Sequence, residues 1–432
     1  MNRSMCRNWL APVCWMICLL AATAARADGD LASIPKNLQC LVDQQKIPGA
    51  VTLIAREGKL IHASVVGYQD IASRQPMRKD TLFRFYSMSK PITSVAILML
   101  MEQGKLRLED PVAKFLPKFA DVRVYESGGL DDMVTQPARR PITIADLLTH
   151  TSGITYHFTG STPVHQYYRK HGVKRNTPVG SLPTDGPAAP NLDVLMDRIA
   201  AAPLLHQPGE RFSYSYSTTV LSAVVERISG QRLDRYLKQS LFDPLGMKST
   251  GFFVEGADLQ RFVSNYMWTG DALQVFETPA TTDYSDRSRL LDGGGALAGS
   301  AADYMRFAQM LANQGEIDGV RFLKPETVRL MFTNHLRPST PVDLGAVPGI
   351  DFEFGYGVAI GNASTARIGM LPVGGGGWDG SGHTFFWVDL QRKQATVFMT
   401  QVISAKGPPA PLKPLVYQAL YGPSSVTVNA CR

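Results

Sequence analysis

The sequence predicts an α/β protein: an antiparallel sheet assembled from both ends of the chain, flanked by helices, with a mainly helical domain inserted between. Three observations carry this. Residues 49–67 are two β-rich runs separated by a Glu57-Gly58 turn, the pattern of a hairpin. Residues 384–390 and 395–403 form a second pair of strands around the polar turn Gln391-Arg392-Lys393, and residues 411–421 can close the chain as a helix. Between the two ends, residues 194–202, 220–229 and 233–241 space their apolar side chains at helical intervals. The organisation that follows is an α/β domain in two parts, 28–125 and 285–432, around a mainly helical domain over 126–284, with the site in the crevice between them. Residues 157–192, rich in Pro, Gly, Thr and His, read as a long irregular excursion.

Composition admits a large core. With 44% hydrophobic and 19% charged residues, the chain lies far from the low-apolar, high-charge signature of disorder. The first residues are set apart from the fold. Arg3 and Arg7 precede an apolar stretch over residues 10–22, and Ala25-Arg26-Ala27 follows it. That order reads as a signal peptide over residues 1–27, the apolar run being short for a membrane span. None of Cys6, Cys14 or Cys18 has the setting of a lipid-modified cysteine. The expected product is exported, periplasmic or secreted, with no membrane span. Removal of the leader discards three arginines and no acid, taking the formal charge from +7 to +4. The remaining charges are scattered, so nucleic acid is not an expected partner. Two cysteines remain, Cys40 and Cys431, one near each mature terminus. In an oxidising compartment they are candidates for a disulfide, two free thiols being the alternative, because Cα separation decides.

An S-x-x-K spacing on a helix puts serine and lysine on one face about one turn apart, where the amine can act as base for the hydroxyl. Ser87-Met88-Ser89-Lys90 has this spacing, and so does Ser33-Ile34-Pro35-Lys36, which makes the spacing alone a weak signal. Context separates the two. Ser87 follows the strand-like Leu82-Phe83-Arg84-Phe85-Tyr86 and opens an apolar run over 92–101 that Gly104 ends. Its hydroxyl is therefore expected at the N-terminus of a buried helix, where the dipole favours a developing oxyanion. The Ser33 copy holds a proline, precedes any strong element and is read as coincidence.

The run Phe83-Arg84-Phe85-Tyr86-Ser87-Met88-Ser89-Lys90 resembles the nucleophile motif of class C β-lactamases, family VIII esterases and related penicillin-recognising enzymes. Residues 142–153, residues 242–250, and the stretch from Gly293-Gly294-Gly295 through Asn313-Gln314-Gly315 to Lys324-Pro325-Glu326 are similar to later segments of that family in order and spacing. The match covers nearly all of residues 34–422. It implies the β-lactamase/transpeptidase-like fold and a serine hydrolase. Residues 208–218 resemble the family's second motif, a tyrosine followed two residues later by Asn or a substitute, which makes Tyr214 the catalytic phenol and Tyr216 the substitute. A cation beside a phenol favours the phenolate, and a tyrosine so placed can take the serine proton and pass it to the leaving group.

Residues 374–384 run from four glycines into a strand and lack the Gly-Lys-Ser/Thr of a P-loop, which argues against phosphate binding. They resemble the family's third motif, a Lys-Thr-Gly or Trp-Gly-Gly triplet on an edge strand, here Trp378-Asp379-Gly380. The resemblance implies an oxyanion hole formed by the amides of Ser87 and Ser381. Three departures bear on substrate. Trp378 replaces the lysine that holds a substrate carboxylate, Tyr216 replaces an amide-binding Asn, and Asp379 is an acid where Thr or Gly is usual. A β-lactam anion loses its handholds, while an ester with an apolar group meets an aromatic wall. An arginine from residues 157–192 is an alternative source of the missing cation.

His150 is read as a holder of local backbone, and His383 as either structural or in contact with substrate. No His, Cys, Asp or Glu cluster has metal-ligand spacing, no cofactor is expected, and no G-x-S-x-G is present to suggest an α/β-hydrolase. The expected activity is that of a carboxylesterase or acyltransferase working through an acyl-enzyme on Ser87, its partner a small-molecule ester. The alternatives are a β-lactamase or D-amino-acid peptidase and, from another class, a catalytically silent penicillin-binding-like protein.

Overall fold

The computed structural model describes residues 29–177, 181–338, 340–343, 350–404 and 407–431. The signal-peptide expectation for residues 1–27 lies outside them. Strands β1 (Gly49–Arg56) and β2 (Lys59–Asp70) make the expected hairpin, with Glu57 and Gly58 both at positive φ, as the tight turn that follows strand twist requires. With β3 (Gln75–Pro76), β4 (Glu353–Phe354), β5 (Ala359–Ile360), β6 (Gly375–Asp379), β7 (Phe385–Asp389) and β8 (Gln394–Met399) they form one eight-stranded sheet. Its order is β4-β5-β6-β7-β8-β1-β2-β3, so the two ends of the chain meet where β8 pairs antiparallel with β1.

The sheet is covered on both faces, which is why β1 reads as one continuous apolar run. Val51, Leu53 and Ala55 point with Phe386, Val388 and Val397 toward the helix Ala301–Ala312. The alternate residues Ala50 and Ile54 point with Phe385, Trp387 and Phe398 toward the helices Ser33–Asp43 and Leu412–Tyr421. A disulfide between Cys40 and Cys431, with Cα atoms 5.2 Å apart, ties the first of these helices to the end of the chain. The central helices form as expected at Leu192–Ala201, Ser217–Ser229 and Leu233–Leu237, and Ser217–Ser229 packs against the helix Ser89–Glu102 that follows Ser87.

Three details differ from the sequence reading. The last strand stops at Met399, because Thr400 turns its hydroxyl onto the carbonyl of Gly49 and Gln401 its side chain onto the amide of Arg84. Val402–Ser404 then pair with Asn265–Trp268 in a separate small sheet. Within the stretch read as irregular, Pro163–Lys170 is a helix; proline opens it and only Val164, His165 and Tyr168 are buried, too few to show a periodic stripe. Ser33 does begin a helix, since Pro35 falls in its first turn, where no backbone N–H is needed. Among the described residues no helix is long and apolar enough to cross a membrane.

Candidate active site

Ser87 sits in a single 3-10 turn, Tyr86–Met88, that leads from the short strand Leu82–Arg84 into the helix Ser89–Glu102. Tyr86, immediately before it, has φ +47°, a left-handed conformation that a bulky residue adopts only when its surroundings impose it. They do. The Tyr86 hydroxyl is held by Asn265 Nδ2 at 2.7 Å, the Phe85 amide donates to the Leu297 carbonyl, and Tyr304 Oη donates to the Met88 carbonyl. The sharp turn presents Ser87 at the cavity wall while its neighbours stay buried.

Lys90 is one turn along, 1% exposed, and donates from Nζ to Ser87 Oγ at 3.2 Å and to the Gly294 carbonyl at 2.6 Å. The carbonyl is itself fixed. Asp292 accepts the Gly294 amide at 2.7 Å, accepts the Thr219 hydroxyl at 2.7 Å, and forms an ion pair with the guanidinium of Arg175 at 3.2 Å. Thr93 adds a hydrogen bond to the Gly293 carbonyl. Arg175, Asp292 and Gly294 thus make a buried chain that ends on the lysine.

Tyr214 closes the other side. Lys90 Nζ lies 4.6 Å from the centre of its ring, and its hydroxyl accepts from the indole Nε1–H of Trp378 at 3.3 Å. The buried His150 packs on the same ring with centroids 5.0 Å apart, joins Ser215 Oγ through Nδ1 at 3.0 Å, and accepts the Ser213 amide with its backbone carbonyl. His150 therefore holds the backbone that carries Tyr214. Burial first, and then the charge of Lys90, keep its imidazole neutral well below the ordinary histidine range.

The third motif ends β6. That strand is third from the sheet edge rather than at it, yet β5 covers only Gly376 and Gly377, which leaves the cavity side of Trp378 and Asp379 unpaired. The tryptophan pairs with Phe386 on the covered side. At Gly380 a Cβ would lie 2.4 Å from the Phe85 carbonyl, so only glycine lets this segment run up against the turn that carries Ser87. Ser87, Tyr214, Trp378, Asp379, Gly380 and Ser381 all line one cavity of about 880 Å³. Its far wall is mostly apolar, with Leu336, Phe352, Ile360 and Leu371 among its residues.

Not every expected site residue faces this cavity. Tyr216 is 2% exposed, gives its hydroxyl to a 2.8 Å hydrogen bond with His157 Nδ1, and packs against Tyr156, away from the cavity lining. It lies at the N-terminal cap of the helix Ser217–Ser229, where the chain has turned inward. His383, at φ +56°, is likewise outside the lining. The arginines of the 157–192 stretch supply no cation there: Arg169 pairs with Asp185 and Arg175 with Asp292. A cation that the sequence reading missed does line the cavity. Lys413 reaches in from the C-terminal helix and pairs with Asp379 Oδ1 at 2.6 Å. Its signal was the one charged residue in the closing helix Leu412–Tyr421. Among the described residues no group of His, Cys, Asp and Glu is arranged to hold a metal ion.

The comparisons with known proteins agree with this geometry. Protein Rv1367c of Mycobacterium tuberculosis is 34% identical over 381 residues, covering 87% of this chain and 90% of its own. The esterase EstB of Burkholderia gladioli is 33% identical over 307 residues, 66% of this chain and 72% of that one. Among solved structures, EstCE1, described as a hydrolase with promiscuous acyltransferase activity, superposes with a TM-score of 0.73 at 27% identity, covering 91% of this chain and 99% of its own. A model of the Beta-lactamase family matches residues 34–415, and with the serine, lysine and tyrosine gathered at one cavity the chain belongs to that family.

Proposed function

We propose that this protein is an exported serine hydrolase that forms an acyl-enzyme on Ser87, working as a carboxylesterase or acyltransferase on small esters. One observation carries the reading: Ser87, Lys90 and Tyr214 converge where an apolar cavity walled by Trp378 opens on the nucleophile. Ser87 Oγ bonds to the ester carbonyl carbon as its proton passes to the Lys90–Tyr214 pair. The amides of Ser87 and Ser381 receive the oxyanion. Collapse breaks the ester C–O bond, and the proton leaves with the alcohol. Water or a second alcohol then releases the acyl group by the same steps in reverse. The names of EstB and EstCE1 support both outcomes. The leader-like residues 1–27 support export.

The β-lactamase reading is weaker for a chemical reason. Trp378 offers a penicillin carboxylate apolar area and no charge, and the neighbouring Lys413 is already paired with Asp379, so the anion sheds water for little return. The test is a panel on the mature protein: p-nitrophenyl esters of graded chain length, nitrocefin, and D-amino-acid anilides. Short and medium esters are expected to give much the largest kcat/KM. A value for nitrocefin equal to that for p-nitrophenyl butyrate would reverse the assignment.

A further inference from the structure

The cation absent from position 378 stands elsewhere on the cavity wall, and it is already occupied. Lys413 lies in the first turn of the helix Leu412–Tyr421 with its side chain one-tenth exposed, its Nζ 2.6 Å from Asp379 Oδ1. Asp379 is the middle residue of the third-motif triplet, next to the proposed oxyanion amide, and its side chain is 45% exposed toward the cavity. A carboxylate carried by the chain itself therefore sits on a buried ammonium at the place where a substrate's own carboxylate would seek one. An intramolecular partner is always present at high effective concentration, so an incoming anion gains no new ion pair by displacing it. Elsewhere on the wall two carboxylates, Asp351 and Glu353, stand with one further cation, Arg337, which gives one of its N–H groups to the Gly209 carbonyl.

We propose that Asp379 is a specificity-determining residue: by occupying Lys413 it makes the site refuse acyl groups that end in a carboxylate and accept neutral ones. This rests on Ser87 being the nucleophile of an esterase. Removing the charge of Asp379 while keeping its shape exposes Lys413 to substrate. Removing the charge of Lys413 leaves Asp379 as an uncompensated anion, which repels acids and attracts cations.

The test uses three p-nitrophenyl esters of one chain length: the neutral hexanoate, the adipate half-ester, and the 6-(trimethylammonio)hexanoate. Their kcat/KM values are compared as ratios in the wild type, Asp379→Asn and Lys413→Gln, so that a general loss of activity cancels. Asp379→Asn is expected to raise the adipate-to-hexanoate ratio by about tenfold or more, the effect of gaining one charge-assisted contact. Lys413→Gln is expected to lower that ratio and to raise the ratio for the trimethylammonio ester. An adipate ratio unchanged in Asp379→Asn, or one that rises in Lys413→Gln, overturns the proposal. If Asp379→Asn does not fold, the sign of the Lys413→Gln ratios decides alone. Failure of the underlying esterase reading looks different: the wild type turns over none of the three esters, or Ser87→Ala turns them over equally well.

Discussion

The indole N–H of Trp378 donates to the phenol oxygen of Tyr214 at 3.3 Å, so the residue that walls the cavity also orients the residue proposed to carry the proton. Trp378→Phe keeps the aromatic area and removes the donor. A hydrogen bond of this kind is worth about 0.5 to 1.5 kcal/mol. Steady-state kinetics with p-nitrophenyl hexanoate should show kcat reduced by roughly threefold to tenfold with KM little changed. A change confined to KM would mean that the indole serves only as a wall.

Asp292 should matter to Lys90 without touching it. Its carboxylate fixes Gly294, whose carbonyl holds the ammonium, and it neutralises the largely buried Arg175. Asp292→Ala leaves that guanidinium with the Gly295 carbonyl as a partner, a loss smaller than the about 3 to 5 kcal/mol of fully buried pairs. The milder Asp292→Asn should fold and yet lose kcat, because Lys90 is less firmly held. Denaturant titration and steady-state kinetics on the two variants check both parts; an Asp292→Asn kcat equal to that of the wild type would remove Asp292 from the account.

What the sequence made legible follows from how far apart the partners lie. Ser87 and Lys90 are three residues apart, so their meeting is a property of one turn of helix. Gly294, which holds Lys90, is 204 residues away, and no local pattern announces it. Lys413 and Asp379 meet only because the last helix crosses the end of β6, a tertiary event. Tyr216 shows the opposite case. The resemblance to the family's second motif put it beside substrate, but the strand there is only Phe212–Ser213, and the helix that starts at Ser217 turns Tyr216 into the core. Strands β1, β2, β7 and β8 were readable because they are long and alternating or largely apolar, whereas β3, β4 and β5 have two residues each and the helix Pro163–Lys170 buries too few residues to be seen.

Acid should destabilise the fold through its buried histidines. His157, against Tyr216 Oη, is pushed down to about 4, chiefly by burial, and His150 lies well below the ordinary value for the same first reason. Each binds fewer protons folded than unfolded between its folded value and the unfolded value near 6.5. The stability they contribute is complete above about pH 6.5 and is lost as pH falls toward 4. Thermal melts from pH 7.5 to 4.5 should show Tm dropping across that window, with a shallower drop in His157→Gln. Parallel curves for the two proteins would contradict it.

The disulfide spans 391 residues of sequence and joins the first described helix to the end of the chain. The loop-entropy model puts a closure of this length at about 6 kcal/mol, and removal of a native disulfide typically costs about 2 to 5 kcal/mol. The double substitution Cys40→Ser, Cys431→Ser should lower unfolding stability by about 2 to 5 kcal/mol while leaving KM for a neutral ester unchanged. Thiol counting on unfolded, unreduced protein from an oxidising compartment should find neither cysteine titratable; two thiols per chain would refute the pairing.

Ser87 as the acylated nucleophile is the centre of the account, and an irreversible phosphonate ester read by mass spectrometry tests it most directly. Wild-type protein should gain one adduct per chain, on the peptide containing Ser87, as p-nitrophenyl ester turnover falls to zero. Ser87→Ala should gain none and lose at least about a thousandfold in kcat, as should Lys90→Ala, with Tyr214→Phe nearly as severe, because members of one catalytic unit fail together. The control Ser33→Ala should behave as the wild type. Labelling at any other residue, or a Ser87→Ala protein that keeps most of its turnover, would contradict the account.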